Sequence, residues 1–391
     1  MANPLIRAGL AVGIRKLAPF SGGYSGGYSG GYSGGYSGGY SGGYGTTPDS
    51  DSDLLWSEAL TTTRNSISRP LAPALEGMRR WQPGGEDAQK MARWDAWVQT
   101  QIVLPELTQP FTFVCAPDCV TARLGSVEAL AMRIPSLEDF RRQVKDVASV
   151  GVERQDRAKE IVLQATSTNP FWSAILPIGQ RTPATQSLLM ATQRFAVAVH
   201  MRFKHEFAAW RPSEMSSQVQ PMIPVPRHGS YPMGHACEAY LGAVVLSHLV
   251  RAPATGPRSS EEAAPAADYY AAVQDQLLRL AQRISENRVI AGVHFPYDLD
   301  AGRALGEWLG DYFLLRCEGV TSVDVHRREF DPASQTPFDA DGAFQAGTGG
   351  ERTVAFSEHR SLCALYEAAR SEWQGFYPPA SKQASAEEPA E

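Results

Sequence analysis

At 391 residues the chain can bury one large core or two. Its net charge of −6, with no dominant basic stripe, argues against a general nucleic-acid binder. The five cysteines (Cys115, Cys119, Cys237, Cys317 and Cys363) lack zinc-site spacing and are too sparse for a disulfide framework. They read as reduced thiols in a cytoplasmic protein, although Cys115 and Cys119 could pair if the chain were exported.

Residues 1–20 are basic and contain no acid, and Arg15-Lys16 interrupts a short apolar stretch without a small-residue cleavage pattern. They read as a docking peptide for a protein or an anionic membrane surface, or as a plain tail. Residues 21–44 are six Ser-Gly-Gly-Tyr units, half glycine, which makes order too costly in backbone entropy. With polar residues to 53 they form a tether reaching on the order of 25–30 Å. A folded domain is expected over 54–380, followed by an Ala/Glu/Pro-rich tail at 381–391.

Within that domain a helix is expected over 86–103, ending before Pro105. Phe111 to Cys115 fits a strand or a buried loop. Ser136 can cap a helix reaching Val150, and 153–165 is a further helix. This half carries no chemistry motif; its work is packing and shaping the pocket entrance. A long helical stretch over 183–210 delivers Lys204 and, seven residues on, Arg211-Pro212. A helix opens near Ala236, behind the turn His228-Gly-Ser-Tyr-Pro-Met-Gly-His235. Such a turn presents free N–H groups and a positive dipole end to an anion, and Gly234 permits close approach. His235 stands at its mouth, where a general acid belongs. The apolar run Leu241–Val250 is far short of the ~20 residues a membrane span needs, and reads as core. Residues 251–267 read as a surface loop, 268–289 as the helix carrying Arg288, 301–315 as a helix, 318–355 as loop, and 357–374 as a last helix.

In Arg288-Val-Ile-Ala-Gly-Val-His294-Phe-Pro-Tyr-Asp298, the arginine offers a planar fork to an oxyanion and Asp298 lies one turn beyond the histidine. Alone, the stretch fits equally a surface arginine and a satisfied core histidine. Three pieces in order, Lys204-x6-Arg211-Pro212, Gly-Ser-Tyr-Pro-Met-Gly-His235 and Arg288-x5-His294-x3-Asp298, resemble the superfamily of type 2 phosphatidic acid phosphatases, bacterial class A acid phosphatases and vanadium haloperoxidases. The likeness covers about residues 185–315. The Gly-Ser-Tyr-Pro run and Asp300-Ala-Gly-Arg303 look like the bacterial phosphatase branch.

The resemblance implies an all-α helical bundle and a phosphatase acting on a water-soluble phosphate monoester without a metal cofactor. Lys204, Arg211, Arg288 and the Gly234 N–H would hold the phosphate. His294 would form a phosphohistidine, Asp298 would orient it, and His235 would be acid and then base. In the haloperoxidase alternative the same cage holds vanadate on His294. A non-catalytic anion-binding or cargo protein is the remaining alternative. Two positions depart from the family pattern. Met233 stands where it has serine, removing one anion contact worth ~1–3 kcal/mol, and Asn287 stands before Arg288 where it has another serine.

Overall fold

The computed structural model describes residues 50–67, 86–251, 260–332 and 342–374, together with Ser334, Phe338 and Ala340. The expected docking peptide, the Ser-Gly-Gly-Tyr tether, the expected C-terminal tail and residues 252–259 of the expected loop lie outside the described residues. Helix α1 (Ser50–Ile67) begins before Leu54, and its side chains from Glu58 to Ser66 are exposed.

The single helix expected over 86–103 is two, α2 (Asp87–Met91) and α3 (Ala96–Thr108). The break is chemical: Asp95 caps α3 by accepting the Val98 N–H at 2.9 Å. Pro105 does not end α3; its carbonyl still accepts from the Gln109 N–H at 2.9 Å. Strands β1 (Phe111–Ala116), β2 (Cys119–Leu124) and β3 (Val127–Arg133) form an antiparallel meander. The β2–β3 turn places Gly125 at φ +56°. Helix α4 (Leu137–Ser149) carries a reciprocal cap between Ser136 and Asp139. A 3₁₀ turn leads to α5 (Arg154–Thr166), then come α6 (Pro183–Phe207), the one-turn α7 (Pro212–Met215), α8 (Gly234–Arg251), α9 (Ser260–Ile290) and α10 (Pro296–Cys317). Residues 260–267 are therefore helix, not loop. After α10 come β4 (Ser322–Val325), β5 (Arg328–Phe330), β6 (Phe344–Ala346), β7 (Thr353–Ala355) and α11 (Arg360–Glu372).

The expected all-α bundle is therefore corrected to a helix-rich α/β fold with two sheets. One has the order β1-β2-β3-β5, with β5 parallel to β3; the other has the order β6-β4-β7 and is antiparallel. Buried runs such as Val120–Ala122 and Ala129–Met132 suppress the alternation that marks a half-exposed strand. Strands β5, β6 and β7, three residues each, are too short to show a period. Phe111 of β1 packs edge-on against Phe195, Trp308 and Tyr312, joining the first sheet to α6 and α10.

Helix α8 is the centre of the helical layer, packed against α10, α9 and α6. A Cβ at Gly302 would lie 2.3 Å from the Met233 carbonyl oxygen, one at Gly306 2.5 Å from that of Cys237, and one at Gly310 2.8 Å from the Val244 side chain. The contacts advance together along both sequences, so α8 and α10 run parallel at backbone contact. Both helices consequently begin at the same end of the molecule, directing two positive dipole ends there. A bond from the Met233 N–H to the Asp298 carbonyl, 2.7 Å, ties those two starts together. Among the described residues no helix is long and apolar enough to cross a membrane.

Candidate active site

The spacing Arg288-x5-His294-x3-Asp298 has a structural cause. Helix α9 ends with Gly292 at φ +80°; its N–H bonds to Val289 O at 2.8 Å, and the Val293 N–H bonds to Arg288 O at 3.2 Å. That double closure is a Schellman turn, which only glycine enters without strain. It reverses the chain so that His294 lies just past the helix end, next to the turn that bears Arg288. Phe295 then caps α10, Pro296 begins it, and Asp298 reaches back to accept the Phe295 N–H at 2.9 Å. A parallel device sets Lys204-x6-Arg211-Pro212. Helix α6 stops at Ala208 (φ 45°), whose N–H bonds to Lys204 O. Arg211 caps α7 ahead of Pro212, and Glu214 accepts its N–H at 2.6 Å.

These turns bring four of the predicted residues together. Asp298, fully buried, gathers three donors on one oxygen: the Ser230 hydroxyl at 2.6 Å, His294 Nδ1 at 2.9 Å and the Phe295 N–H. His294 thus carries its proton on Nδ1 and presents the Nε2 lone pair as an acceptor. Arg211 Nη1 donates toward that lone pair at 2.9 Å and to Val293 O at 2.7 Å. Its Nη2 is held by His228 Nδ1 at 3.2 Å and by the carbonyls of His228 and Gly229. Lys204 Nζ donates to Gly229 O at 3.0 Å and Ser230 O at 2.8 Å, leaving one of its three protons uncommitted.

Arg288 and His235 sit beside this group, joined by Gln164 of α5. His235 Nε2 donates to Gln164 O at 3.1 Å. Arg288 Nη2 donates to Ile161 O at 2.9 Å and approaches Gln164 Oε1 at 3.5 Å. Its Nε and Nη1 are buried with no partner among the described residues, and the residue is 1% exposed. Leaving buried guanidinium donors unmade is expensive, so this fork is shaped for an acceptor. Asn287 bonds to Arg157, Glu160 and Gln164, bracing α9 on α5 rather than facing the cage.

Gly234 opens α8, so its N–H has no intrahelical carbonyl. A side chain there would meet His200 Cε1 at 2.9 Å, so the position needs glycine on steric grounds as well. Met233 is fully buried and belongs to the hydrophobic core.

The site's charges oppose one another. Burial, then Arg211 and Lys204, hold His294 well below its usual value, so its imidazole is neutral. Burial and the nearby Arg288 lower His235 to about 4, against the opposing pull of Glu238 and Gln164 O. His228 falls to about 3 through burial and the adjacent Lys204 and Arg211. Burial followed by Arg211 pushes Lys204 down, and burial brings both Arg211 and Arg288 to about 10. Asp298 is raised to about 6 by burial, which outweighs Ser230, Phe295 and the cations. A concentration of buried cations facing one another is relieved by an anion.

Sequence reasoning passed over four residues of this arrangement. Ser230 and His228 stand in the glycine run itself. His200 lies one turn before Lys204 on α6, a spacing that could have flagged it. Gln164 gives no sequence signal, because any residue could offer its carbonyl to His235. No protein-family model matches the chain, and no curated protein matches it.

Proposed function

We propose that the chain is a phosphate-monoester hydrolase working through a phosphohistidine at His294. The observation that carries this reading is the pair of unpartnered, buried Arg288 donors beside a His–Asp pair whose Nε2 lone pair is exposed to Arg211. The resemblance of the three motifs to the phosphatase and haloperoxidase superfamily points the same way.

In this reading Arg288 Nε and Nη1, Lys204 Nζ, Arg211 Nη1 and the Gly234 N–H receive the nonbridging phosphate oxygens. Spreading three cations over a charge dispersed on three oxygens is the large catalytic effect. A phosphate oxygen that accepts the Arg211 Nη1–H hydrogen bond in place of Nε2 releases the His294 lone pair. Nε2 then forms a bond to phosphorus as the ester P–O bond breaks, and its electron pair stays on the leaving oxygen. His235, held on Gln164 O through Nε2, delivers the proton on Nδ1 to that oxygen. Asp298 offsets the positive charge that grows on His294. In the second half His235 takes a proton from water as that water displaces the histidine and frees phosphate.

The test is release of p-nitrophenol from p-nitrophenyl phosphate by purified full-length protein, with His294→Ala as control. An acid-labile phosphoryl group on His294 should be trapped on rapid quenching. Absence of His294-dependent release across acid to neutral pH overturns the proposal, leaving an anion-binding role. Bromide oxidation with vanadate and peroxide, absent in His294→Ala, would move the assignment to a peroxidase. Arg288→Ala removes two donors to a charged ligand, each worth about 1.5–3 kcal/mol, and is expected to weaken inhibition by vanadate by about 10²–10⁴-fold.

A further inference from the structure

Behind the mouth of α8 lies a second ionisable group that the proposed mechanism has not used. Glu238 is three residues after His235 on the same helix, with its side chain 11% exposed. One carboxylate oxygen meets His200 Nε2 at 3.2 Å, and the other accepts Gln193 Nε2 at 3.0 Å, both from α6. The same carboxylate oxygen that meets His200 lies 3.5 Å from where a Cβ on Gly234 would stand. The carboxylate therefore sits under the helix start that carries the anion-binding N–H and His235.

An interior carboxylate normally gains its proton. Here burial acts in that direction, yet the hydrogen bond from His200, the charges of His200 and His235, and Gln193 together keep Glu238 below the usual carboxylate range. It stays an anion in the interior. The groups facing His235 divide by sign: Arg288 from α9 and Lys204 from α6 oppose a proton on it, while the Gln164 carbonyl from α5 and Glu238 favour one.

We propose that Glu238 is the buried counter-charge of His235, a positioning residue that keeps a proton available on the acid serving the leaving group. It touches neither the ester nor phosphorus; it acts through His235. Without it the imidazolium would face Arg288 and Lys204 with only a carbonyl dipole in support. The proposal rests on reading His235 as the acid, and two measurements keep it separable from that reading.

The first needs no turnover. The His235 imidazole is titrated by NMR in wild type, Glu238→Gln and Glu238→Asp. Loss of the charge is expected to lower the His235 pKa by about one unit or more in Glu238→Gln, with most of the shift regained in Glu238→Asp. An unchanged His235 titration in a folded Glu238→Gln protein overturns the proposal, whether or not the protein is a phosphatase. Should Glu238→Gln not fold, the wild-type curve decides: coupled groups give a second inflection as Glu238 protonates, and a single inflection overturns it.

The second measurement compares leaving groups. Ethyl phosphate needs a proton on its departing oxygen, whereas 2,4-dinitrophenyl phosphate does not. Glu238→Gln is expected to slow the ethyl ester about tenfold or more and to leave the dinitrophenyl ester within about twofold. Equal loss on both esters marks a merely structural role and overturns the proposal. If wild type hydrolyses neither ester, the phosphatase reading fails while the titration still tests the charge pairing.

Discussion

Asp298→Asn separates what Asp298 does for the fold from what it does for the reaction. Among the described residues, all three donors to Asp298 converge on Oδ2, whereas Oδ1 is buried with no partner. An asparagine can therefore place its oxygen where Oδ2 lies and keep the Nδ1–H tautomer of His294. Its amide nitrogen then occupies the orphaned side, at a cost of about 1–3 kcal/mol. Against this, burial raises Asp298 from 3.8 to about 6, which means the ionised form is disfavoured in the fold by about 3 kcal/mol. The folded-state value lies above the unfolded one, so wild-type stability falls as pH rises from about 4 through about 6. The two effects nearly cancel at neutral pH, and the variant's stability is expected within about 2 kcal/mol of wild type. Catalysis has no such compensation. The positive charge that develops on His294 loses a partner about 4 Å away, worth roughly 4 kcal/mol at an effective dielectric of ~20. That corresponds to about 10³ in kcat. Urea melts at about pH 4 and pH 7, set beside kcat on p-nitrophenyl phosphate, test both halves. A rate within tenfold of wild type, or a stability loss well beyond 3 kcal/mol, refutes the reasoning.

Other expectations follow from the same geometry. The proposed mechanism requires ionised Asp298 (about 6) and protonated His235 (about 4), so kcat/KM should form a bell with its maximum at about pH 5. Activity rises as Asp298 loses its proton and falls as His235 does; a profile corrected for ionisation of the ester, flat from pH 4 to 8, contradicts it. Gly302→Ala drives a methyl group against the Met233 carbonyl and should lower stability by about 3 kcal/mol or more, read by thermal melts, with activity falling as the two helix starts separate. Met233→Ser trades a fully buried thioether for a small hydroxyl and is expected to cost about 2–4 kcal/mol in chemical denaturation.

What the sequence discloses is uneven, for physical reasons. The helices were legible where caps and periodicity agree, as with Ser136 at the start of α4 and the long apolar faces of α6 and α9. Pro105 misled because proline is judged by the donor it lacks, and α3 continues through it with its carbonyl bonded. The sheets were hidden because β2 and β3 are buried on both faces and β5 to β7 are three residues long. At the site, Arg288, His294 and Asp298 were readable because a Schellman turn and a helix cap translate fixed spacing into fixed geometry. Gln164 was unreadable because its contribution to His235 is a backbone carbonyl. Ser230 was visible in the glycine run, yet its bond to Asp298 depends on the meeting of α8 and α10, which no local pattern records. Glu238 lacked a signal for a similar reason: its partners His200 and Gln193 come from another helix.

On the proposed reading, the three glycines along α10 limit what the cage can be made to accept. Because two backbones touch there, His235 on one helix and Asp298 on the other belong to one rigid piece, and the gap between acid and nucleophile cannot be widened by sliding those helices apart. On the proposed reading, room for a larger leaving group is to be sought on the α5 side, where Ile161 O and Gln164 meet Arg288 and His235. A programme to broaden specificity would therefore vary α5 and leave α8 and α10 alone.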